Sequence, residues 1–239
     1  MSAAHQIIGQ LERPWSEPAL CDCLEAIAEA YGFSHVAVVT IPSSDDAGEE
    51  MKPVIANWSD EFRHAFERAG LTRFSPVLRA LKADPLPLVW DIETLYGFDP
   101  DEPEEAGPQV RLLIAAGCRA GAYFPVHGLT TFNGALFLAG DRAPPSEAEV
   151  KELHLAAFAV FGILAASRFE ENRRRNPLSQ RERDCLKLAM LGKTSSEIGT
   201  ILSLSEYTVS QYLASATKKV NASNRTHAVA LAAQLGYLS

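Results

Sequence analysis

The sequence lacks the features that mark several classes of protein. It has only four cysteines, and because their spacing is not that of a zinc site we expect free, mostly buried thiols at Cys21, Cys23, Cys118 and Cys185. No run approaches the roughly 20 consecutive apolar residues of a membrane span, and no basic segment followed by an apolar one begins the chain. These absences predict a cytoplasmic protein that contacts no membrane.

A catalytic constellation is also missing. The six histidines are dispersed, and there is neither a glycine-rich loop that would cradle a phosphate nor a nucleophile elbow. Asp45 and Asp46 follow a strand pattern, as in a phosphoacceptor receiver, but a helix precedes that strand and the later Asp and Lys are missing, so we interpret the pair as loop. We expect no enzyme activity, no metal site and no cofactor.

Charge is distributed unevenly along the chain. The net charge of −8 argues against a nucleic-acid binder if it is spread evenly. From Asn176 onward, however, the chain has seven basic and four acidic residues, for a net charge of +3, whereas residues 1–175 have a net charge of −11. The asymmetry assigns any contact with DNA phosphates to the C-terminal part.

A charged segment separates two patterns of apolar residues. Residues 170–177 interrupt the periodicity on both sides, and Pro177 disfavours helix at Asn176. We therefore predict an N-terminal domain over residues 1–170, a linker over 171–177 and a C-terminal domain over 178–239.

The N-terminal part mixes helix and strand patterns. We predict helices at 18–31, 60–70, 76–83 and 109–116, strands at 35–41, 53–57, 120–127 and 133–139, and a loop at 97–108. A long helix begins after Ser146, whose spacing to Glu149 is that of a capping box. Its apolar residues cover so much of the perimeter that we expect one face to pack on the sheet and another on a partner. The chain is therefore predicted to be α+β, with an N-terminal α-β-α sandwich around a central antiparallel sheet (PAS/GAF-like).

The C-terminal part has two helix starts close together. Ser179 with Glu182, and Thr194 with Glu197, both have the capping-box spacing, and Gly192 ends the first helix. A short second helix follows at 195–202, and we expect three of its apolar residues to face inward: Ile198, Ile201 and Leu202. A three-residue turn then leads to a third helix, so the pattern predicts a helix-turn-helix.

The polar face of the third helix is the surface that a recognition helix would place in the major groove. Glutamine can bind adenine through two hydrogen bonds, and tyrosine or serine can bind phosphates or base edges. The amides at the start of the second helix would provide a phosphate site. The candidate DNA-binding residues are Lys193, Thr194, Ser195, Ser196, Tyr207, Thr208, Ser210, Gln211, Ala214, Lys218 and Arg225. The alternative is a helical bundle whose polar face is merely solvated.

Four segments, 178–186, 192–198, 201–209 and 224–228, closely resemble the LuxR-type DNA-binding domain. The resemblance covers residues 178–238 and implies an all-α four-helix bundle whose fourth helix, at about 224–235, pairs two modules on a two-fold symmetric DNA site. Most members have a basic residue, an aromatic residue and a histidine where this chain has Ser210, Gln211 and Tyr212. The operator sequence therefore cannot be carried over.

Residues 15–170 resemble the autoinducer-binding domain of quorum-sensing LuxR-type regulators. The shared spacing runs from Asn57-Trp58 through Phe62 and Phe66 to Ser75-Pro76. The glycine-containing segments 117–121 and 125–128 also match. The resemblance implies a cavity between sheet and helices that binds an N-acyl-homoserine lactone. The implied ligand-binding residues are Trp58, Phe62, Phe66, Ser75, Trp90 and Phe137.

This chain departs from that family at the residues that hold the ligand. Members usually have Trp at the position of Phe62, Tyr at Phe66 and Asp at Ser75, and often Ser or Thr near Phe137. Phenylalanine neither donates nor accepts a hydrogen bond, and each unpaired polar group on a buried ligand costs about 1–3 kcal/mol. Ser75 can still accept one bond and Trp58 can donate one. Three alternatives remain: a lactone held differently, another hydrophobic ligand, or a filled core without a ligand.

Two functions are compatible with the sequence. The first is a dimeric, sequence-specific transcription regulator, with or without a ligand. The second is an antiactivator that heterodimerises with a related regulator through the long helix and the fourth C-terminal helix, and the residues Ser210, Gln211 and Tyr212 favour it.

Overall fold

The computed structural model of the chain describes residues 2–41, 51–68, 76–127 and 133–238, without the side chains of residues 65–68, 105 and 127. The chain divides into two compact units, Met1–Leu164 and Ala165–Ser239. The mixed α+β architecture that the sequence predicts is confirmed. In the first unit the helices are α1 (Ala3–Ile8), α2 (Glu17–Ala30), α3 (Asp60–Arg68), α4 (Pro76–Ala83), α5 (Ile92–Tyr96), α6 (Pro108–Ala115) and α7 (Glu147–Arg174), the last of which continues into the second unit.

Five strands form one antiparallel sheet in the first unit. They are β1 (His35–Thr40), β2 (Pro53–Ala56), β3 (Leu88–Asp91), β4 (Ala120–His127) and β5 (Asn133–Gly140), in the order β2-β1-β5-β4-β3. Strand β5 lies at the centre, and its Phe137 pairs with Ala37 on one side and with Tyr123 on the other. The sheet therefore carries residues of β1, β4 and β5 side by side.

Side chains alternate between the two faces of the sheet, as a strand period of two requires. Val36, Phe124 and Leu136 join the core formed with α2 and α7, which we call the α7-side cluster. Their neighbours Tyr123 and Phe137 face the other way, into a core rich in aromatic residues, which we call the aromatic cluster. Helices α4 and α6 contribute apolar side chains to that second core.

Helix α7 begins as the sequence predicts. The backbone N–H of Ser146 donates to the Glu149 carboxylate at 2.7 Å, and the Glu149 N–H donates to the Ser146 hydroxyl at 3.4 Å, which closes the capping box. Apolar residues on one side of the helix are buried, whereas Leu155 and Phe158 are 60% and 51% exposed. Among the described residues α7 is the one helix with the length and apolar composition of a membrane span, although core helices share that composition.

Some elements differ from the sequence prediction. Helix α1, strand β3 and helix α5 were not predicted, because each has only four to six residues and shows too few repeats of its period. Part of the predicted loop 97–108 is a single 3₁₀ turn at Pro103–Glu105. Helix α7 extends to Arg174, so residues 171–174 of the predicted linker are helical.

The second unit contains the predicted helix-turn-helix and a fourth helix. Its helices are α8 (Gln180–Met190), α9 (Ser195–Leu202), α10 (Glu206–Lys219) and α11 (Arg225–Gln234). Both predicted capping boxes are present, at Ser179 and at Thr194. The expectation that Ile201 faces inward is wrong, since it is 52% exposed. At 100° per residue Ile198, Gly199 and Leu202 span the inward arc of this two-turn helix, and Ile201 falls outside it.

A buried carboxylate joins α8 to α10, the third helix of the second unit. Glu182 is 3% exposed and accepts hydrogen bonds from the Ser215 hydroxyl at 2.6 Å, from the Lys219 ammonium at 2.8 Å and from the backbone N–H of Ser179 at 2.7 Å. Burial alone would raise the pKa of Glu182, but these hydrogen bonds outweigh it and bring the pKa down to about 2. The ionised carboxylate therefore holds the C-terminal half of α10 in place.

We predict that Gly121→Ala destabilises the first unit by about 1–3 kcal/mol, because the added carbon is an overpacking change. A Cβ at Gly121 would lie 2.1 Å from the carbonyl oxygen of Leu138 and 3.0 Å from the ring of Trp90. Urea denaturation followed by tryptophan fluorescence reports on this unit, since all three tryptophans lie within it.

The matched control is Gly162→Ala. A Cβ at this position within α7 would meet no atom within 4 Å. Alanine should therefore stabilise the unit by about 0.5–1 kcal/mol through its helix propensity. Equal urea midpoints for the two variants would contradict the close approach at Gly121.

We predict that acid weakens the second unit through Glu182. A carboxylate whose folded pKa lies below its unfolded value contributes stability above the unfolded pKa and loses it as the pH falls to the folded pKa. The free energy of opening of α8 and α10, measured by amide hydrogen exchange, should therefore fall between the ordinary value of 4.5 and a pH of about 2. Glu182→Gln should flatten that fall, whereas Glu206→Gln, at an exposed carboxylate of α10, should not. An unchanged pH profile in Glu182→Gln would exclude this role.

Candidate DNA-recognition face and ligand site

Helix α10 presents two distinct sides. Val209, Leu213 and Ala216 are buried against the rest of the second unit. On the opposite side the predicted recognition residues are exposed together, with Tyr207 exposed to 74%. The exposed set is Tyr207, Ser210, Gln211, Ala214 and Lys218. The structure therefore brings five of the predicted DNA-binding residues onto one face.

Several other polar residues of α10 are used within the unit. Thr208 donates its backbone N–H to the Ser205 hydroxyl at 3.0 Å, and the two hydroxyls lie 2.8 Å apart, so it belongs to the helix cap. Lys219 and Ser215 bind Glu182. Among the described residues Lys218 forms no ion pair, so it is the lysine of α10 available to a phosphate.

The predicted phosphate site at the start of α9 already contains a carboxylate. Glu197 accepts from the backbone N–H of Thr194 at 2.8 Å and from its hydroxyl at 3.0 Å, and the Lys193 ammonium lies 3.5 Å away. The backbone hydrogen bond from Thr194 is the main reason that the pKa of Glu197 is lowered. Ser196 is exposed beside this group. A DNA phosphate at this point would have to approach an ionised carboxylate.

Arg225 has a structural position rather than a freely exposed one. Its guanidinium donates to the carbonyl of Lys193 at 2.5 Å and lies 3.4 Å from the hydroxyl of Ser195. These bonds tie the first residue of α11 to the start of α9. The sequence did not indicate this contact, because the two segments are about thirty residues apart.

Four of the six predicted ligand residues lie together in the aromatic cluster. Trp58 contacts Phe62 and Phe137 edge-on, with ring centroids 5.2 Å and 5.6 Å apart, and Trp90 stacks on Phe137 at 6.4 Å with an interplanar angle of 11°. All four side chains are 7% exposed or less. The side chain of Phe66, and Ser75 as a whole, lie outside the described residues.

Two tyrosines of this cluster were not predicted. The ring centroids of Tyr123 and Phe137 lie 4.9 Å apart. The ring of Tyr96 meets that of Trp90 edge-on, with centroids 6.4 Å apart. Burial raises the pKa of Tyr96 to about 12 and that of Tyr123 well above its ordinary value, so both remain neutral. Tyr123 on β4 pairs with Phe137 on β5, so its side chain points to the same face of the sheet. The alternation of side chains along the predicted strands is therefore the sequence feature that indicates Tyr123.

A histidine and a cysteine meet at the margin of the same cluster. His35 Nδ1 lies 3.3 Å from the Cys118 sulfur, and the His35 ring packs against Phe62 at 4.9 Å. Burial lowers the pKa of His35 and raises that of Cys118 to about 12. Both groups are therefore neutral at pH 7, and the pair is not an activated thiolate.

Other features of the described residues do not form a second site. No group of three histidine, cysteine or acidic side chains suited to a metal occurs among them. An open pocket of about 490 Å³ lies beside the edge strand β2 and includes Cys21 and Arg63. It contains none of the predicted ligand residues, so we do not assign the ligand to it.

Comparison with known proteins identifies both parts of the chain. The profile of the autoinducer binding domain matches residues 16–169, and that of the bacterial regulatory proteins of the luxR family matches residues 176–232. The transcriptional activator protein BjaR1 of Bradyrhizobium diazoefficiens is 31% identical over 90% of this chain and 87% of its own length.

Solved structures of SdiA have the same fold. The crystal structure of Escherichia coli SdiA covers 99% of this chain and 98% of its own, with a TM-score of 0.68 and 21% identity. A structure of SdiA in complex with octanoyl-rac-glycerol covers 98% of this chain and 95% of its own, with a TM-score of 0.67 and 21% identity. The two matching domain profiles and the similarity to BjaR1 show that the chain belongs to the LuxR family of transcription regulators, which are not enzymes, and carries an autoinducer-binding domain.

Proposed function

We propose that this protein is a cytoplasmic, dimeric, sequence-specific transcription regulator controlled by an N-acyl-homoserine lactone or another small hydrophobic ligand. The observation that carries the proposal is the exposed polar face of α10 on a packed helix-turn-helix. A helix with one apolar and one polar side can enter the major groove without leaving its own unit unpacked.

Different residues of that face have different roles in the proposal. Gln211 has the donor and acceptor that bind adenine at its N6 and N7. Lys218 supplies one phosphate contact, while Tyr207 and Ser210 bond to phosphates or base edges. Lys193, just before α9, and Ser196, in its first turn, approach the phosphate backbone of the DNA. Arg225 acts by positioning the start of α9. Residues 171–177 serve as the linker between the two domains.

The ligand site is the aromatic cluster. Its apolar rings suit an acyl chain, and Phe62 and Phe137 offer no hydrogen bond to a polar head group. The acylglycerol bound to SdiA supports considering acyl ligands other than lactones, because that protein has the same fold. A ligand-independent core remains the alternative, and binding measurements decide it.

Dimerisation is assigned to α7 and α11. Leu155 and Phe158 are three residues apart on α7 and more than half exposed, so they form a small apolar stripe that a second copy can cover. Two modules paired in this way would bind a two-fold symmetric DNA site. The second candidate function, an antiactivator that heterodimerises with a related regulator, is favoured by the unusual residues at 210–212.

We predict that Gln211→Ala lowers affinity for a specific site by about 1–3 kcal/mol while nonspecific affinity is unchanged. The site is first selected from a random double-stranded library with the purified protein, and affinities are measured by fluorescence anisotropy. Equal discrimination by Gln211→Ala and the wild type would contradict the assigned face. Failure to enrich any site, with or without ligand, would favour the antiactivator.

A different change is expected for Lys218→Ala. Loss of one phosphate contact should weaken binding to all sequences alike and reduce the slope of log K against log salt by about one. Lys151→Ala is the control, because this exposed lysine lies in the first unit, where its ammonium pairs with Glu147 at 2.6 Å. A normal salt slope in Lys218→Ala would exclude that contact.

We predict that a bound ligand raises the melting temperature of the first unit. A ligand that binds only the folded state stabilises it by about 2.7 kcal/mol at one hundred times its dissociation constant. Differential scanning fluorimetry with N-octanoyl-homoserine lactone and, separately, 1-octanoyl-rac-glycerol measures the shift, and octanoic acid controls for nonspecific binding of the chain. An unchanged melting temperature with lactones and acylglycerols of several chain lengths would contradict control by such a ligand.

A further inference from the structure

Trp90 occupies a closely fitted position in the aromatic cluster. It pairs with Gly121 in the register of β3 and β4, and a Cβ at Gly121 would lie 3.0 Å from its ring, so glycine makes room for the indole. Phe137 stacks nearly parallel to it and Tyr96 meets it edge-on. The side chain is 3% exposed. Neighbours on several sides therefore fix the direction of its N–H group.

That N–H group has no protein partner. The Nε1 atom of Trp90 is buried and forms no hydrogen bond with any part of the chain that the structure describes. An indole nitrogen is only a donor, and buried polar groups are nearly always paired. Phe137 and Tyr96 contact the indole through their aromatic rings, and an N–H group gains little from an aromatic ring as acceptor. An oxygen from outside the chain would satisfy the group.

We propose that Trp90 is the hydrogen-bond donor that binds an oxygen acceptor of the ligand in the aromatic cluster. This inference rests on the proposed ligand-binding function. It specifies the ligand as a molecule with an acyl or similarly apolar part and a carbonyl or equivalent oxygen in the plane of the indole. Phe62, which also lies in this cluster, cannot supply that bond.

The indole signals of the wild-type protein test the inference directly. The chain has three tryptophans, so ¹⁵N labelling of tryptophan gives three side-chain signals, and Trp90→Phe identifies one of them. On addition of N-octanoyl-homoserine lactone the Trp90 indole proton should move downfield. The signal of Trp15 should stay in place, since its ring packs on the α7-side cluster, across the sheet. A bound probe that leaves the Trp90 signal without a downfield shift would overturn the inference.

Affinity measurements give the second test. Trp90→Phe keeps an aromatic ring and removes the donor, so we expect the dissociation constant of the same probe to rise about tenfold. Trp15→Phe is the matched control and should bind as the wild type does. Equal affinities for Trp90→Phe and the wild type would overturn the inference while the ligand-binding function stands.

The two failures are distinguishable. If the wild type binds neither N-octanoyl-homoserine lactone nor 1-octanoyl-rac-glycerol, and no indole signal moves, then ligand binding fails and the role of Trp90 fails with it. If Trp90→Phe does not fold, the shift of the wild-type indole signal still decides, because that measurement needs the variant only for assignment. Trp15→Phe and Trp58→Phe then provide the assignment by elimination.

Discussion

The alternation of side chains along β1, β4 and β5 is the constraint on which the first unit depends. Because successive residues of a strand point to opposite faces, each of these strands contributes to two separate cores. One face, with Val36, Phe124 and Leu136, packs on α2 and α7 and provides stability. The other collects Tyr123 and Phe137 into the aromatic cluster. A shift of one residue in register would exchange these two sets, so pairing within the sheet fixes the position of the aromatic cluster, the proposed ligand site.

In the second unit the corresponding constraint is the narrow apolar side of α10. Once Val209, Leu213 and Ala216 are buried, the direction of the polar side follows from the helical period. The Glu182 carboxylate distinguishes the two lysines at the end of this helix. It binds the ammonium of Lys219, whereas Lys218 is exposed and is not bound by it. Two adjacent exposed lysines thus differ in role, because Lys219 is paired with Glu182 and Lys218 lies on the surface proposed to contact DNA.

The sequence predicted elements with repeated periods and strong start signals. The bounds of α4, α9 and β4 agree with the structure, and so do the capping boxes at Ser146, Ser179 and Thr194. It did not predict β3, because its four residues follow two prolines and show no full alternation. Neither did it indicate that Arg225 and Lys219 are bound within the second unit, because these contacts join residues that are far apart in sequence. Local pattern determines the elements, and tertiary packing determines which polar side chains remain available.

In the proposed ligand site, one polar donor lies among residues that offer no hydrogen bond. Phenylalanine at positions 62 and 137 fills the aromatic cluster without offering a hydrogen bond, and this increases the apolar area available to an acyl chain. The cost is that a polar head group would be buried unpaired, unless another donor faces it. Trp90 is such a donor, held in place by Gly121, Phe137 and Tyr96. Because its N–H is unpaired within the described chain, a ligand oxygen that accepts from it gains a bond without breaking one in the protein. A ligand bound in this way would stabilise the folded first unit by mass action.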